Sequence, residues 1–483
     1  MKRMTAVVAL LATACTTMEP KYARPDPAIP ASWPVGDPYL AQSEVGLPVL
    51  TYRQIFQDPR LQALIGQALA NNRDLMIAAS NIAAAREQYR IQRAQQLPTV
   101  NAGTGVTVTG DKSNDVSADY NAGVQVPNFE IDLFGRVRSL THVQLQRYLA
   151  SEAGARATRL ALVAEVASAW LDYAADSSLR LIDEQTAASA QKSVRLTRIR
   201  LQGGVAPRTD LSQAEQILSQ AQADLARQRT AVAQDVNALQ LLVGAPIATN
   251  LLAGSIDEAF GKIAPVPTGL DSYVLLRRPD VLQAEYDLRA ANAQIGAARA
   301  ALFPRITLTG LLGFASNALT SLFTGGAFGW SAGADATYTI FQAGAGHANV
   351  RLSEAQRNAA VATYQRTVQT AFREVADALA RRGTINDEIG ARERQQAATA
   401  DTYTLTEARY RAGIDPFLTV LDAQRSYYVA QQQMVATKLS AAQNLVTLYQ
   451  TIGGDTLLQT TPLCQPLPGD RVTTQAAAEC TVN

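Results

Sequence analysis

The side chains that most often do chemistry are scarce in this sequence of 483 residues. His142 and His347 are its only histidines and lie far apart, and no cysteine–histidine cluster has metal-ligand spacing. Gly344-Ala345-Gly346 comes nearest to a phosphate-binding glycine loop, but it marks a junction between a predicted strand and helix. The sequence therefore predicts no enzyme, no metal and no cofactor.

One cysteine does have a predicted chemical use. Cys15 follows a basic start and a short uncharged apolar stretch over residues 4–14, the order of an export signal. Ala12-Thr13-Ala14-Cys15 resembles a lipobox, where bacterial lipoproteins are cleaved and acylated, although Leu is usual at the first position. We therefore expect a signal peptide at 1–14 and a lipid on Cys15, and Thr16 favours sorting to the outer membrane. An ordinary secretory signal is the alternative.

The other two cysteines lie in the polar C-terminal tail, residues 455–483. Cys464 and Cys480 form an even pair in a chain that carries an export signal, which predicts a disulfide. Such a bond would close a local loop of the tail, so we expect its role to be structural.

The composition favours long helices. Hydrophobic residues make up 47% of the chain, charged residues 18%, and the net charge is +1. The apolar residues are mainly Ala, Leu and Val, which suit closely packed helices. Nothing indicates a polyanion-binding surface, so nucleic acid is not an expected partner. No segment after the signal reaches 18 consecutive apolar residues, so any membrane crossing would have to be made by strands.

The sequence contains an internal duplication. Residues 74–98 realign with 280–304, and residues 200–244 realign with 409–453. A period of roughly 200 residues is too long for a solenoid repeat and fits two similar halves. We expect a first repeat at 58–244, a linker at 245–270 and a second repeat at 271–454, after an extended segment at 15–57. Identical pairs include Asp74/Asp280, Ala78/Ala284, Pro98/Pro304, Gly204/Gly413, Pro207/Pro416 and Gly244/Gly453.

Each repeat is predicted to contain a helix, a strand hairpin, a long helix and a helical hairpin. Asp58-Pro59 supplies a cap and a first-turn proline for the first helix. The expected helices are 58–95, 136–184, 186–202 and 208–243 in the first repeat, and 271–302, 345–383, 386–411 and 417–452 in the second.

The strand hairpins, about 99–131 and 304–341, alternate apolar and polar residues. Strands of this kind form either the wall of a water-filled membrane barrel or a soluble antiparallel sheet. The export signal favours the membrane. Four strands cannot close a barrel, and an open sheet edge cannot face lipid, so we expect an obligate oligomer. Eight strands would have a filled interior, whereas twelve leave a lumen.

Three motifs carry a resemblance to a known family, and it covers nearly the whole chain. They are Arg278-Pro279-Asp280-Val281, Asp132-Leu133-Phe134-Gly135-Arg136, and Tyr410-Arg411-Ala412-Gly413 followed by Leu418-Thr419-Val420-Leu421-Asp422. The chain resembles the TolC-like outer membrane factor family, in its OprM/NodT-type lipoprotein branch.

The resemblance implies a mainly α fold with a small β part, assembled as a homotrimer. A transmembrane β-barrel with four strands per protomer would continue into a long α-helical barrel in the periplasm. The implied function is the passive exit duct of a tripartite resistance–nodulation–division (RND) efflux pump, conducting small molecules such as drugs. The implied partners are a periplasmic adaptor, an inner-membrane RND pump and outer-membrane lipid.

The two helical hairpins carry the candidate site residues. Their turns combine glycine, which permits positive φ at a helix end, with a proline that starts the next helix. By resemblance, the turns also contact the adaptor. The turn residues are Gly203, Gly204 and Val205 in the first hairpin, and Ala412, Gly413 and Ile414 in the second.

Leu418, Asp422 and Arg425 follow the second turn with the spacing i, i+4, i+7, on one helix face. By resemblance they form a periplasmic gate: rings of Leu418 and Asp422 would narrow and charge the lumen, and Arg425 would bridge to a neighbouring helix. Asp210 in the first hairpin is its candidate partner. Thr419 stands where some relatives have an acidic residue. The alternative is a solvated helix face with an ion pair inside one helix.

Two other functions remain open at this stage. A helical periplasmic scaffold or adaptor lipoprotein would keep its strand hairpins in a soluble sheet. A protein-secretion duct would share the whole fold. The sequence does not identify the transported substrate.

Overall fold

The computed structural model describes residues 17–27, 29–30, 33–34, 51–110, 116–265, 272–324 and 326–454. Cys15, Cys464 and Cys480, with the predicted lipid and disulfide, lie outside these residues.

The fold is mainly helical with one small sheet. The helices are α1 (Tyr52–Ile55), α2 (Pro59–Asn71), α3 (Arg73–Ala94), α4 (Arg136–Gln202), α5 (Arg208–Val243), α6 (Ile256–Phe260), α7 (Pro279–Ala300), α8 (Ala345–Arg411) and α9 (Phe417–Thr451). The strands are β1 (Asn101–Gly110), β2 (Val116–Ile131), β3 (Arg305–Ser316) and β4 (Phe328–Thr337).

The lengths of the helices confirm the internal duplication. Helices α3 and α7 each have 22 residues, and α4 and α8 each have 67. The second members of the helical hairpins, α5 and α9, have 36 and 35 residues. Each strand hairpin occupies the same place in its repeat.

Two predicted helix breaks were wrong. The expected ends at 184 and 383 fall inside α4 and α8, which continue without interruption to Gln202 and Arg411. The first predicted break contains neither proline nor glycine, and α8 accommodates Gly383 within its turns. A single glycine lowers helix propensity by only about 1 kcal/mol, too little to end a helix that is packed along its length.

The first predicted helix, 58–95, is instead two helices. The Asn72 side chain accepts hydrogen bonds from the backbone amides of Asp74 and Leu75, at 2.9 and 3.1 Å, and so caps α3. Its amide also donates to the carbonyl of Leu242 at 2.9 Å, which binds the break to the end of α5. The predicted cap at Asp58 is confirmed, because its carboxylate accepts from the backbone amide of Arg60.

The start of the second repeat also differs from the prediction of one helix at 271–302. A 3₁₀ segment, Ser272–Arg277, comes first, and α7 begins only at Pro279. Proline at the first helical position explains the separation, since its ring disfavours helical backbone in the residue before it. The segment predicted as a linker, 245–270, contains a 3₁₀ turn at Thr249–Leu251 and the short helix α6.

The four strands form one antiparallel sheet in the order β1-β2-β3-β4. Its register places Ala102, Val124, Leu312 and Trp330 opposite one another in a row that crosses all four strands. Directly opposed residues share one face of a sheet, so this row and its alternate neighbours make that face apolar. The other face carries mainly small and polar residues, including Thr107, Asp119, Asn121, Ser331 and Asp335.

A β-bulge preserves this division of faces in β2. Val126 pairs with Gly310, but the next partner pair is Phe129 with Leu308, so β2 has one extra residue at this point. Without the bulge, Phe129 and Ile131 would lie on the polar face, because side chains alternate along a strand. The bulge turns both toward the apolar face.

The chain divides into two compact units, and each draws on both repeats. The first contains the sheet, with Ile77–Ala155, Asp280–Gln369 and the described residues before 28. The second contains the described residues of 29–76, 156–279 and 370–454.

Among the helices that the structure describes, none combines the length and the apolar character needed to span a bilayer.

In the first unit, residues 17–27 have no helix or strand and are held by a buried carboxylate. Glu285, which is 2% exposed, accepts hydrogen bonds from Tyr22, Arg24 and Arg289, at 3.1, 2.8 and 2.7 Å. Burial raises the pKa of Glu285, but the hydrogen bonds from Arg24 and Arg289 outweigh it and lower the pKa below its usual value. Three donors, two of them arginines, therefore satisfy one buried acid and hold residues 17–27 against α7.

In the second unit, the core forms where α2, α4, α6 and α9 meet. Phe56 packs edge-on against Tyr449, with ring centroids 5.4 Å apart, and both side chains are fully buried. The buried Trp170 donates its indole N–H to the carbonyl of Leu251 at 3.0 Å. These contacts fix the helices that continue toward the hairpin turns.

Candidate functional site

The two hairpin turns have the same backbone geometry. Gly204 and Gly413 adopt positive φ, at 75° and 78°. Val205 donates its backbone N–H to the carbonyl of Arg200, and Ile414 donates to Arg409, both at 2.9 Å. This is the Schellman arrangement, in which a left-handed residue lets two amides satisfy the last carbonyls of the helix. The predicted role of the glycines as helix ends is confirmed by this geometry.

The tips of both turns expose apolar side chains. Val205 is 68% exposed and Ile414 is 63% exposed. A Schellman turn often packs the residue in this position against its own helix, but here both side chains face outward. Gly203 and Ala412 beside them are also exposed. The turns therefore present two small apolar surfaces.

The helices behind the turns pack around a cluster that joins the two hairpins. Val194 of α4, Ala214 of α5 and Tyr410 of α8 contact Phe417 and Leu421 of α9. Arg200 adds a contact between α4 and α8, because its guanidinium lies over the ring of Tyr410. At the second turn, Arg409 binds both carboxylate oxygens of Asp415, and these hydrogen bonds lower the pKa of Asp415.

The predicted gate residues lie together on the exposed face of α9. Leu418 is 57% exposed, and the side chains of Asp422 and Arg425 are 61% and 74% exposed. Phe417, Val420 and Leu421 lie beside this row on α9 and are buried in the cluster described above. The amphipathic pattern of α9 thus holds one face against the hairpins and leaves the other available.

Within one chain, the predicted bridge from Arg425 to a neighbouring helix is not seen. Arg425 Nη2 lies 2.8 Å from Asp422 Oδ1, in an i, i+3 pair on α9 itself. In the described ranges its ion-pair partner is Asp422, while Asp210 stands in the first turn of α5. A pair this exposed contributes only about 0–1 kcal/mol to stability, so either partner can exchange for another at little cost.

Sequence reasoning missed a polar cluster next to the gate residues. Tyr428 of α9 donates to Asp183 of α4 at 2.7 Å, and the neighbouring Asp224 of α5 accepts from Arg227 at 2.6 Å. Asp183 and Asp224 are buried, at 4% and 8% exposure. The cluster joins residues from three helices that are far apart in sequence, so no local motif could have indicated it.

His142 has a structural role, whereas His347 is exposed on α8. His142 Nδ1 lies 2.9 Å from Glu19 Oε2, and its Nε2 lies 2.9 Å from Gln146 Nε2. In the part of the chain that the structure describes, no group of three histidine, cysteine or acidic side chains is placed to hold a metal ion.

The sequence matches the family described as outer membrane efflux protein over residues 64–245 and 271–454, which is most of both repeats. The chain belongs to this family. The two matched segments are separated where the sequence predicted a linker.

Relatives of the outer membrane efflux family agree over nearly the full length. The chain is 42% identical over 466 residues to the antibiotic efflux pump outer membrane protein ArpC of Pseudomonas putida, covering 94% of this chain and 96% of that protein. The toluene efflux pump outer membrane protein TtgC of Pseudomonas putida gives the same identity and coverage. The open-state crystal structure of the outer membrane channel MtrE of Neisseria gonorrhoeae superposes with a TM-score of 0.83 at 35% identity, covering 91% and 99% of the two chains.

These matches confirm the predicted family, its fold, its location in the outer membrane and its role in efflux. They do not bear on the individual gate residues, whose roles remain a prediction.

Proposed function

We propose that three copies of this chain form the exit duct of a tripartite RND efflux pump, anchored by lipid on Cys15 and gated at the periplasmic hairpin turns. The duct conducts its cargo passively and catalyses no reaction. The repeats at 58–244 and 271–454 supply similar halves, so three copies present six similar helical hairpins.

The four-stranded sheet carries this proposal. One of its faces is apolar across all four strands, from Val106 and Val124 to Leu312 and Trp330. Within the described strands, the outer edges of β1 and β4 have no partner. Unpaired backbone groups at such edges cost several kcal/mol each in lipid, so β1 of one copy must pair with β4 of another. Three copies then give twelve strands, enough for a water-filled lumen.

The cargo class follows from the relatives. Two proteins 42% identical to this chain carry names that assign them to antibiotic and toluene efflux pumps. Small organic molecules therefore fit this chain better than folded proteins. The exposed turn residues Val205 and Ile414 supply the surface that a periplasmic adaptor would cover, and the adaptor would connect the duct to its inner-membrane pump.

The gate residues supply the remaining element of the duct. Leu418, Asp422 and Arg425 lie on the exposed face of α9, where the same residues from three copies would surround one passage. The ion pair of Arg425 with Asp422 is weak enough to be exchanged for a bridge to the neighbouring copy when the tips close.

Two substitutions on adjacent residues of β4 test which face contacts lipid. Ala332→Arg places a charge on the apolar face and should block assembly into membranes, since arginine costs about 2–4 kcal/mol at the bilayer midplane. Ser331→Arg places the same charge on the polar face and should assemble normally, with altered ion selectivity in planar bilayers. Equal assembly of both variants would refute the lipid-facing assignment.

The trimer is tested separately on the Cys15→Ala variant. Native mass spectrometry of this variant in detergent should show three chains, and the variant should still require detergent. A soluble monomer in buffer would contradict the duct and favour a periplasmic scaffold.

A further inference from the structure

A cleft of about 260 Å³ opens among α4, α5 and α9 in the second unit. Its walls are mainly apolar and include Ile217, Ala221, Leu421 and Val429. This volume lies just below the usual range of about 300–1,000 Å³ for small-molecule sites, so it suits a compact ligand with one ring. We call this space the Asp224 cleft.

The carboxylate of Asp224 forms the polar end of the Asp224 cleft, and only two side chains donate hydrogen bonds to it among the described residues. Asp224 Oδ1 accepts from Arg227 Nη2 at 2.6 Å and from Gln220 Nε2 at 3.1 Å. Asp224 Oδ2 accepts only from Gln220 among the described residues, also at 3.1 Å. An ionised carboxylate offers about four acceptor positions, so Asp224 retains capacity for another donor.

The charges around the Asp224 cleft do not balance. Asp183 lies behind Tyr428, which also lines the cleft, so two buried carboxylates are close together. Burial and the neighbouring charge of Asp224 both raise the pKa of Asp183, against the hydrogen bond from Tyr428. Arg227 is their cation, and its side chain is 75% exposed, which leaves it well solvated. Arg425 at the rim is paired with Asp422, so it neutralises neither buried acid.

We propose that the Asp224 cleft binds a small amphipathic cation, an aromatic or alicyclic body that carries one protonated amine. The body would replace water against Ile217, Leu421 and Val429, and the ammonium would donate to Asp224. One added positive charge brings the two carboxylates and Arg227 to neutrality. Buried charges are stable only when paired, so the charge deficit selects a cation over a neutral ligand of equal size.

Such a ligand would contact the helix that carries the candidate gate residues. Leu421, Gln424 and Arg425 line the cleft, while Asp422 and Arg425 belong to the exposed row on the same turns of α9. Binding needs only residues of one chain, so it does not depend on the proposed function. An effect on conductance would depend on it and is measured separately.

The test uses the full-length protein in detergent and the probe 4-(trifluoromethyl)benzylamine, followed by fluorine NMR. Its uncharged analogue, 4-(trifluoromethyl)benzyl alcohol, controls for apolar partition, and empty micelles control for binding to detergent. We expect saturable binding of the amine at least about tenfold tighter than that of the alcohol, the scale of one charge-assisted hydrogen bond.

Three variants make the test specific. Asp224→Asn should weaken amine binding about tenfold and leave alcohol binding unchanged. Ala221→Leu should block both probes by filling the space. Glu215→Gln removes an exposed carboxylate, paired with Arg198 at 2.8 Å, from the same helix and should change neither. Far-UV circular dichroism and the oligomeric state establish that each variant is folded.

Several outcomes would overturn the proposal. Equal affinity for the amine and the alcohol would show an apolar surface without charge recognition. Unchanged amine binding in Asp224→Asn would place the site elsewhere. No saturable binding to the intact oligomer would show that a neighbouring copy fills the cleft.

Discussion

The guanidinium carbon of Arg200 lies 4.6 Å from the ring centroid of Tyr410, and Arg200 Nη1 donates to the carbonyl of Tyr410 at 3.1 Å. One side chain of α4 thus binds both the ring and the backbone of α8 near the turn. The two hairpins of one chain are joined by this contact as well as by their apolar cluster.

Substitution of Arg200 should loosen this connection. Arg200→Leu removes the cation–π contact and the hydrogen bond to the Tyr410 carbonyl, and should lower the free energy of unfolding by roughly 1–2 kcal/mol. Tyr410→Phe is the matched control, because the buried Tyr410 hydroxyl has no hydrogen-bond partner within the described chain. Its removal should leave stability unchanged or slightly higher. Thermal unfolding followed by near-UV circular dichroism measures both. A large loss in Tyr410→Phe would mean that the hydroxyl has a partner in the oligomer.

Substitution of the predicted gate residues Asp422 and Arg425 should change conductance without changing the free energy of unfolding. Asp422→Ala and Arg425→Ala should each raise single-channel conductance in planar bilayers, because the proposed gate depends on these charges to hold the tips closed. An exposed ion pair contributes about 0–1 kcal/mol, so thermal stability should stay within that range. Glu407→Ala breaks a comparable surface pair with Arg411, 2.7 Å on α8, and should leave conductance unchanged. Wild-type conductance in both gate variants would disprove the gate assignment.

Replacement of the turn glycines by alanine should destabilise the protein because of their backbone conformation. An added Cβ at Gly204 or Gly413 meets no atom within 4 Å, but both residues have positive φ. Each alanine substitution should therefore cost about 1–2 kcal/mol. Gly244→Ala should cost more, because its Cβ would also lie 2.6 Å from the carbonyl oxygen of Asn71.

Gly390 provides the opposite case. The free energies of unfolding of all these glycine variants are measured by thermal unfolding. It lies inside α8, where an added Cβ would lie no closer than 3.6 Å to Arg394 Nη1. Gly390→Ala should therefore stabilise the protein by about 0.5–1 kcal/mol. Equal effects at Gly204 and Gly390 would contradict the role assigned to positive φ.

Asp235 should make stability depend on pH. Burial, with the nearby carboxylates of Asp176 and Asp172, raises the pKa of Asp235 to about 7. Because its pKa is raised, Asp235 binds its proton more tightly in the folded state than in the unfolded state. The contribution of this proton to the free energy of unfolding is complete below pH 4 and is lost as the pH rises to about 7. Asp235→Asn should match the wild type near pH 4 and melt about 1–2 °C higher near pH 8. A constant difference across this range would exclude Asp235 as the source.

The strands and the helical hairpin turns could be predicted from the sequence, because each depends on a pattern of neighbouring residues. The strands followed from alternation, and the pairing of Leu312 with Trp330 confirms the predicted apolar face. The turns followed from glycine and proline, and α5 begins and ends at the predicted Arg208 and Val243. In each case neighbouring residues carry the physical cause.

Features that depend on distant residues could not be predicted. The break at Asn72 is stabilised by a hydrogen bond to Leu242, and the bulge in β2 is set by its pairing with β3. The cluster of Asp183, Asp224 and Tyr428 arises only when three helices pack together. Likewise, Arg425 has two candidate acidic partners in the sequence, and only geometry shows that Asp422 is the nearer within one chain.

The ladder between β2 and β3 is the place where the first half of the gene meets the second. In the proposed wall of twelve strands, three of the six junctions between repeats would lie inside a chain, as this ladder does. Assembly would then have only the other three junctions to complete. The two repeats nevertheless differ at their hairpin tips, since one bears Asp422 and Arg425 while the other bears Asp210.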